Sequence, residues 1–370
     1  MSSTRSATDW IAGLSPWPAD GFGTDRMRAL LAELGEPQNR FPAVHVVGTN
    51  GKSTTTRLTE TLLEDAGLSV GAYTSPHVRD WSERIRVDGA EADFERAAAA
   101  VRPQAEALGA TQFEALTAAA LQAFAEAGVD AAVVEAGLGG RHDATNVLSS
   151  RVVVLTNVAL EHMDVLGSTR EAIAAEKLAV VQPGCVVVLG EPEWEGLARE
   201  NGAGRVELAG QSNLALAVAS AEAFLGRTVD PHAADAVTLP GRLERRGEHP
   251  LEIWDGAHNL AGLAYLLPRV PARSYVLVCS ILGDKRPERM LEALSALGDT
   301  FVATESSNAR SLAAGELAVR AEPYFSHVES SPDPQKARAR ALALAGDDGA
   351  VLVTGSLYLL ADLGTGGYNL

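Results

Sequence analysis

Cysteine is nearly absent: Cys185 and Cys279 are the only two in 370 residues, each inside an apolar run. That excludes a disulfide-stapled scaffold and a cysteine-based zinc centre, and it fits buried thiols in a reducing compartment. Positive charge is also scarce, with 31 Lys and Arg against 48 Asp and Glu and a formal net charge of −17. Non-specific nucleic-acid binding needs cationic surface to displace counterions, so no nucleic-acid partner is expected. A local cationic pocket for an anionic substrate is still open to such a chain. No apolar run approaches the ~18 residues that cross a membrane. The start, Met1-Ser-Ser-Thr-Arg-Ser-Ala-Thr-Asp9, has no apolar core like that of a signal peptide. The expectation is a cytoplasmic protein, bacterial in style, with no membrane partner. What is present is an ordinary globular composition, 46% hydrophobic and 21% charged, long enough for two domains with full cores.

The organising stretch is Phe-Pro-Ala-Val-His-Val-Val-Gly-Thr-Asn-Gly-Lys-Ser-Thr-Thr-Thr over residues 41–56. A valine-rich run breaks at Gly48, and a glycine-bracketed loop ends in Lys52, Ser53 and Thr54. Leu58, Leu62, Leu63 and Ala66 then recur at helical spacing. Strand, glycine loop, lysine, hydroxyl and helix is the order that seats a triphosphate. Glycines let backbone N–H groups approach the phosphates at a helix N-terminus. Lys52 would reach the outer phosphates, and Ser53 or Thr54 would offer a hydroxyl to Mg²⁺. The general pattern has a glycine six residues before the lysine, where this chain has Val46. The shorter Gly-x-x-Gly-Lys-Ser loop also admits a bland reading, a glycine-rich turn that binds nothing.

Residues 1–40 read as a helical lead-in, with a turn over 15–21 and a helix around 26–34. Strands are predicted at 68–74, 82–89, 131–134, 151–157 and 185–189, with helices over 91–108, 113–127, 169–180 and 213–225. The rest of 190–235 is less orderly. Strands alternating with helices imply a parallel, doubly wound sheet, in which ligands lie beyond the carboxyl ends of the strands. After a hinge at Leu239-Pro240-Gly241 the pattern restarts, with strands at 251–254, 275–280, 300–304 and 351–358. The predicted architecture is α/β. It comprises a domain over 1–238 that carries the glycine loop and a second, smaller α/β domain over 242–370.

Several side chains sit where chemistry is done. Glu135 ends a buried strand beside Gly-Leu-Gly-Gly, where it could ligate Mg²⁺, a hard ion that prefers oxygen, or merely cap a helix. His162 follows another buried strand and is either a ligand or a structural histidine. Lys177 lies on a helix and by itself reads as a surface lysine. Asp255 and His258 occupy a strand-to-helix turn that could hold ribose or phosphate, or only a helix cap.

Taken together, the motifs resemble the folylpolyglutamate synthetase/dihydrofolate synthetase family of the Mur ligase superfamily. They are Gly48-Thr-Asn-Gly-Lys52, Thr74-Ser-Pro-His77, Glu83-Arg-Ile85, Glu135-x-Gly-Leu-Gly-Gly-Arg141-x-Asp143-Ala-Thr-Asn146, Glu161-His162, Glu176-Lys177, Pro240-Gly-Arg242-Leu and Asp255-Gly-Ala-His-Asn259. They occur in the family's order, and the resemblance runs from about Gly21 to Tyr358. The resemblance implies a Mur-ligase-like fold, a P-loop ATPase domain followed by a Rossmann-like one. It further implies an ATP-dependent ligase that joins L-glutamate to a folate or dihydropteroate carboxylate through an acyl phosphate.

By that likeness Thr49, Asn50, Gly51, Lys52, Ser53, Thr54, Asn213, Arg242, Asp255 and His258 contact ATP, Asn213 near the adenine. A loop hydroxyl, Glu135 and His162 hold Mg²⁺, and Lys177, as the family's carbamylated lysine, holds a second Mg²⁺. Lys52, His162 and Lys177 are the catalytic set. A monovalent cation is a further candidate. Ser75, Pro76, His77, Arg84, Phe113, Arg141 and Asp143 border the pterin side, and the expected oligomeric state is a monomer.

Three departures stand out. Ser53 occupies the place of the family's usual glycine after the lysine. The stretch from Leu189 to Asn213 is short, reducing a segment that normally ends Gly-x-His-Gln to Gly210-Gln-Ser-Asn213. His142 replaces an apolar residue after Arg141. A peptidoglycan Mur ligase is the nearest enzyme rival, but only 47 residues precede Gly48, too few for a UDP-sugar domain. An altered ATPase acting on another carboxylate, or a nucleotide-binding regulator, is the alternative from a different class.

Overall fold

The computed structural model describes residues 6–18 and 21–364. The chain divides into two compact units, 1–237 and 238–370. In the first, valine-rich segments become strands because β-branched side chains suit a pleated surface whose two faces are both covered by helices. These strands are β1 (Ala43–Val47), β2 (Val70–Tyr73), β3 (Ile85–Val87), β4 (Ala90–Glu91), β5 (Ala131–Glu135), β6 (Ser150–Leu155), β7 (Val186–Leu189) and β8 (Arg205–Leu208). They form one sheet in the order β4-β3-β2-β5-β1-β6-β7-β8. Every neighbouring pair from β2 to β8 is parallel. An antiparallel hairpin of β3 and β4 closes one edge, so the sheet is mixed there rather than parallel throughout.

Strand β5 comes late in sequence yet inserts between β2 and β1, while β6 pairs on the far side of β1. The chain thus reverses direction around β1, the position where open α/β sheets form a crevice. The registers Val46↔Glu135 and Val47↔Leu155 bring the carboxyl ends of β5, β1 and β6 level.

Alternation along β1 sorts its side chains between faces. Val44 and Val46 pack with Leu58, Leu62 and Leu63 of the Lys52–Asp65 helix and with Leu216 and Ala217 of the Asn213–Leu225 helix. On the opposite face Ala43 joins the cluster built by the Phe94–Leu108 and Gln112–Ala127 helices. Val47, on that same face, joins the cluster of the Arg170–Leu178 helix. His45 falls between these two clusters at 1% exposure. The Gln112–Ala127 helix starts with a capping box between Thr111 and Glu114. It buries Leu116, Leu121 and Phe124 completely, each contributing ~1.5–3 kcal/mol by leaving water.

The second unit has its own core, including Leu263, Leu277, Leu291, Phe301, Leu317 and Leu352. Its strands are β9 (Glu244–Glu248), β10 (Leu251–Trp254), β11 (Val276–Cys279), β12 (Thr300–Ala303), β13 (His327–Ser330) and β14 (Ala350–Thr354). Their order is β13-β12-β11-β14-β10-β9, parallel except for the edge strand β9.

Some expectations are corrected. Ser82–Arg84 forms part of a 3₁₀ turn rather than a strand, because Asp80 accepts the Ser82 N–H at 3.0 Å and Glu83 accepts the Asp80 N–H at 3.1 Å. Such side-chain bonds outcompete an alternating pattern. The 190–212 segment is more orderly than its composition suggests, holding a Glu195–Glu200 helix and strand β8. The edge strands β8, β9 and β13 carry no buried residue, so they lack the apolar run that betrays a central strand. The closing strand stops at Thr354, and Leu357–Gly364 is helical. The lead-in supplies helices Ala7–Ala12 and Asp25–Glu33. The turn expected over 15–21 includes residues 19–20, which lie outside the described residues. Among the described residues no helix is long and apolar enough to cross a membrane.

Candidate active site

The loop after β1 is fixed before any ligand arrives. Gly48 has φ 151° and Gly51 φ 82°, a region that L side chains rarely adopt. A Cβ on Gly48 would lie 1.8 Å from Thr156 Oγ1, and one on Gly51 would lie 2.4 Å from Asn213 Oδ1. The backbone therefore passes closer to its neighbours than any side chain allows. Residues following β6 brace it: Asn157 Oδ1 accepts the Asn50 N–H at 3.0 Å, and Thr156 Oγ1 donates to the Asn50 carbonyl at 2.7 Å. The Thr49 N–H donates to the Asn157 carbonyl at 3.0 Å, and the Thr49 hydroxyl accepts the Ala159 N–H at 3.0 Å.

Lys52 opens the 14-residue Lys52–Asp65 helix and folds back, its Nζ 3.5 Å from the Thr49 carbonyl and 4.0 Å from Glu135 Oε1. Glu135 is the last residue of β5 and only 1% exposed. Its Oε1 accepts the Ser53 hydroxyl at 3.0 Å, and its Oε2 accepts the Ser75 N–H at 3.0 Å. Thr54 follows on the same helical turn, half-buried. Among the described residues no three His, Cys, Asp or Glu side chains are grouped to hold a metal. The donors that do converge are oxygens, a hydroxyl and a carboxylate beneath a phosphate-type loop. That set fits Mg²⁺, which draws its remaining ligands from phosphates and water.

Lys177 is not a surface lysine. It is 4% exposed, and its Nζ donates to the Gly48 carbonyl at 2.7 Å. Burial, with the nearby Lys52 cation adding to it, lowers its pKa to about 7. The reach of the lysine from its helix to the loop is what the sequence could not show. His162 has a left-handed backbone (φ 50°) at the start of the Met163–Leu166 helix and is exposed.

On the β2 side, a cis peptide joins Ser75 to Pro76. His77 is buried, and its Nδ1 accepts from Arg84 Nε at 2.8 Å. Burial first, then the guanidinium, depress the imidazole to about 2, so it is neutral. The Arg84 guanidinium also lies 4.9 Å from the Trp81 ring centroid. Phe113 packs 6.1 Å from the Tyr73 ring. Arg141 is anchored to the Lys177 helix through its N–H to the Glu176 carbonyl (3.0 Å) and its Nε to Glu176 Oε2 (3.3 Å).

Asp143 is 5% exposed. It accepts the Leu138 N–H at 2.8 Å, the Thr145 N–H at 3.0 Å and the Thr145 hydroxyl. Burial pushes its pKa up, and these donors oppose that shift.

In the second unit, Asp255 follows β10 and accepts the Leu243 and Ala257 N–H groups, both at 2.9 Å. Burial raises its carboxyl pKa against the pull of Arg242. Arg242 Nη1 donates to the Gly241 carbonyl at 3.0 Å, and His258 Nδ1 lies 2.8 Å from the Gly256 carbonyl. Asp255 and His258 share the turn between β10 and the Leu260–Leu266 helix, as their spacing suggests, while Arg242 lies ahead of β9.

Sequence reasoning gave no site role to Thr156, Asn157, His45, Thr145 and Arg28, whose Nη2 donates to the Asn146 carbonyl at 3.0 Å. Asn157 was open to the rule that picked Glu135, a polar residue just past a buried strand. His45 was legible as the one polar residue inside a valine run.

Residues 46–213 match the Mur ligase middle domain, and residues 241–357 match the Mur ligase glutamate ligase domain. The Escherichia coli K12 dihydrofolate synthase/folylpolyglutamate synthase is 33% identical, with 92% of this chain and 90% of the relative covered. The chain belongs to the dihydrofolate synthase/folylpolyglutamate synthase family. A Bacillus subtilis member is 31% identical over 98% of this chain and 99% of its own length. A solved structure of Escherichia coli FolC in complex with DHPP and ADP has a TM-score of 0.87 at 29% identity, covering 97% of this chain and 98% of that one. A Yersinia pestis folylpolyglutamate synthase/dihydrofolate synthase complexed with AMPPNP and Mn ion gives 0.84 at 30% identity, with 98% of both chains covered. The family comprises ATP-dependent glutamate ligases, and the glutamate ligase domain of this chain falls within its second unit.

Proposed function

We propose that this protein uses ATP and a divalent metal to join L-glutamate to the carboxylate of dihydropteroate or a reduced folate. The observation that carries the reading is the meeting of Ser53 and Glu135, 3.0 Å apart, beneath Lys52 and the Gly48–Gly51 loop. Loop N–H groups and the start of the Lys52–Asp65 helix receive the ATP phosphates, and Lys52 neutralises the outer ones. Thr49, Asn50, Gly51 and Asn213 complete that side, and Arg242, Asp255 and His258 are the ATP contacts of the second unit.

Mg²⁺ would be held by Ser53, Glu135 and His162, and it supplies charge neutralisation at the transferring phosphoryl group. Ser53 is preferred to Thr54 because its hydroxyl already points at Glu135. Lys177, as a carbamate, would hold a second ion. Its environment suits that chemistry, since a buried amine with a pKa of about 7 has a large neutral fraction able to attack CO₂.

The γ-phosphoryl group passes to the acceptor carboxylate and ADP leaves. The amine of glutamate then attacks the acyl carbon, expelling phosphate and losing a proton as the amide forms. Ser75, Pro76, His77, Arg84, Phe113, Arg141 and Asp143 border the acceptor, and residues 239–241 serve as the hinge. Excluding water protects the acyl phosphate from hydrolysis. The test is to incubate the protein with ATP, Mg²⁺ and glutamate, with dihydropteroate or a reduced folate in separate reactions. Amide product with at least one acceptor is expected. ADP without amide from either would assign another carboxylate.

A further inference from the structure

His45 lies on β1, three residues before Gly48, on the face shared by Ala43 and Val47. An apolar residue there would extend the buried seam, as Val44 and Val46 do on the other face. The imidazole instead has its Nε2 2.8 Å from Thr145 Oγ1, across 100 residues of sequence, with both residues fully buried. The Thr145 hydroxyl directs its hydrogen to Asp143 Oδ1. The hydroxyl can then only accept from His45, which requires an Nε2–H on the ring, and the neutral Nε2–H tautomer supplies it. Burial favours the same state, lowering the imidazole pKa to about 4. Donors therefore run one way, from His45 to Thr145 to Asp143. Asp143 in turn accepts the Leu138 and Thr145 N–H groups, which shapes the loop that presents Arg141.

We infer that His45 is a positioning residue for the carboxylate acceptor. It acts through Thr145 to hold Asp143 and the 138–146 loop, and it does so independently of the nucleotide loop that begins three residues later. This rests on the proposed function, because the acceptor is the one named there. A purely structural histidine would serve β1 as a whole, so its loss would disturb ATP and acceptor binding alike.

The test uses His45→Leu, His45→Gln, Thr145→Val and Thr145→Ser, each in the full chain. In ligation assays His45→Leu and Thr145→Val are expected to raise the acceptor KM about tenfold, the scale of one buried hydrogen bond, with the ATP KM unchanged. The double variant should be no worse than the poorer single one, because both break the same chain. His45→Gln and Thr145→Ser keep a donor and a hydroxyl and should recover most of the loss. Amide hydrogen exchange on the ligand-free protein provides a readout that needs no activity. In His45→Leu, exchange should accelerate at Leu138 and Thr145 while the amides of 48–53 stay as in wild type. Parallel rises in both KM values, or equal acceleration at both loops, would overturn the inference, as would no change at all. A wild-type protein that ligates neither acceptor would refute the proposed function, leaving the exchange result to decide the role of His45.

Discussion

At Lys52 the ammonium is held by its own loop and by Glu135, so its removal should cost little stability but much chemistry. Lys52→Ala is expected to lower ATP-dependent turnover by ~10²–10³ with a nearly unchanged melting temperature, read by coupled ADP release and calorimetry. Lys177 gives a pH prediction with a definite sign. Its neutral fraction rises as pH rises through about 7, so carbamate formation should rise over the same range. Carbon NMR in labelled bicarbonate should show that signal, absent in Lys177→Arg, and a lysine unmodified at every pH would remove the second metal from the reading. Glu135, a carboxylate ending a valine strand, was legible as a site residue. Lys177 was not legible from its own surroundings, because its helix carries nothing unusual and its partner is a carbonyl 129 residues away.

Among the elements, the β1 turn depends on close approach. Gly48→Ala places a methyl group 1.8 Å from Thr156 Oγ1 at a φ of 151°. The expected loss is ~1–3 kcal/mol or more, read from urea unfolding, accompanied by weakened nucleotide binding. An unchanged midpoint would mean that the β6 end is free to retreat. In the second unit, Arg338 reaches from the Pro334–Ala345 helix to Glu252 on β10, with Nε–Oε1 at 2.6 Å and Nη2–Oε2 at 2.7 Å. Burial raises the Glu252 pKa, and the Arg338 and Trp254 bonds more than reverse it, leaving the carboxyl below its ordinary 4.5. A depressed carboxyl contributes stability above its unfolded pKa and loses it as pH falls through the folded value. Arg338→Ala should therefore destabilise by ~1–3 kcal/mol at neutral pH and by progressively less in acid. A deficit that persisted unchanged at low pH would assign the loss to packing instead.

For the whole molecule, the two separate cores predict separable unfolding. A non-hydrolysable ATP analogue with Mg²⁺ at a hundred times its Kd should stabilise the unit that binds it by ~2.7 kcal/mol. Calorimetry of the full chain should show whether one transition or both respond. A shift in the first unit's transition alone would remove Arg242, Asp255 and His258 from the ATP contacts. The net charge of −17 opposes self-association and binding to DNA. We expect a monomer of 38.7 kDa by light scattering and no retardation of duplex DNA.

The sequence by itself determined the central strands and the main helices of the first unit, where the glycine loop lies, and that a carboxylate ends a later strand. These are local matters of periodicity, turn chemistry and spacing. It missed β4, β8, β9 and β13, because edge strands have no apolar run and are defined by the neighbour they pair with. Tertiary structure alone decided that β5 inserts between β2 and β1, which carries Glu135 to Ser53 across 82 residues. It likewise decided that Lys177 meets Gly48 and that His45 meets Thr145. Strand order and register are set by pairing between distant segments, and no single stretch of chain records them.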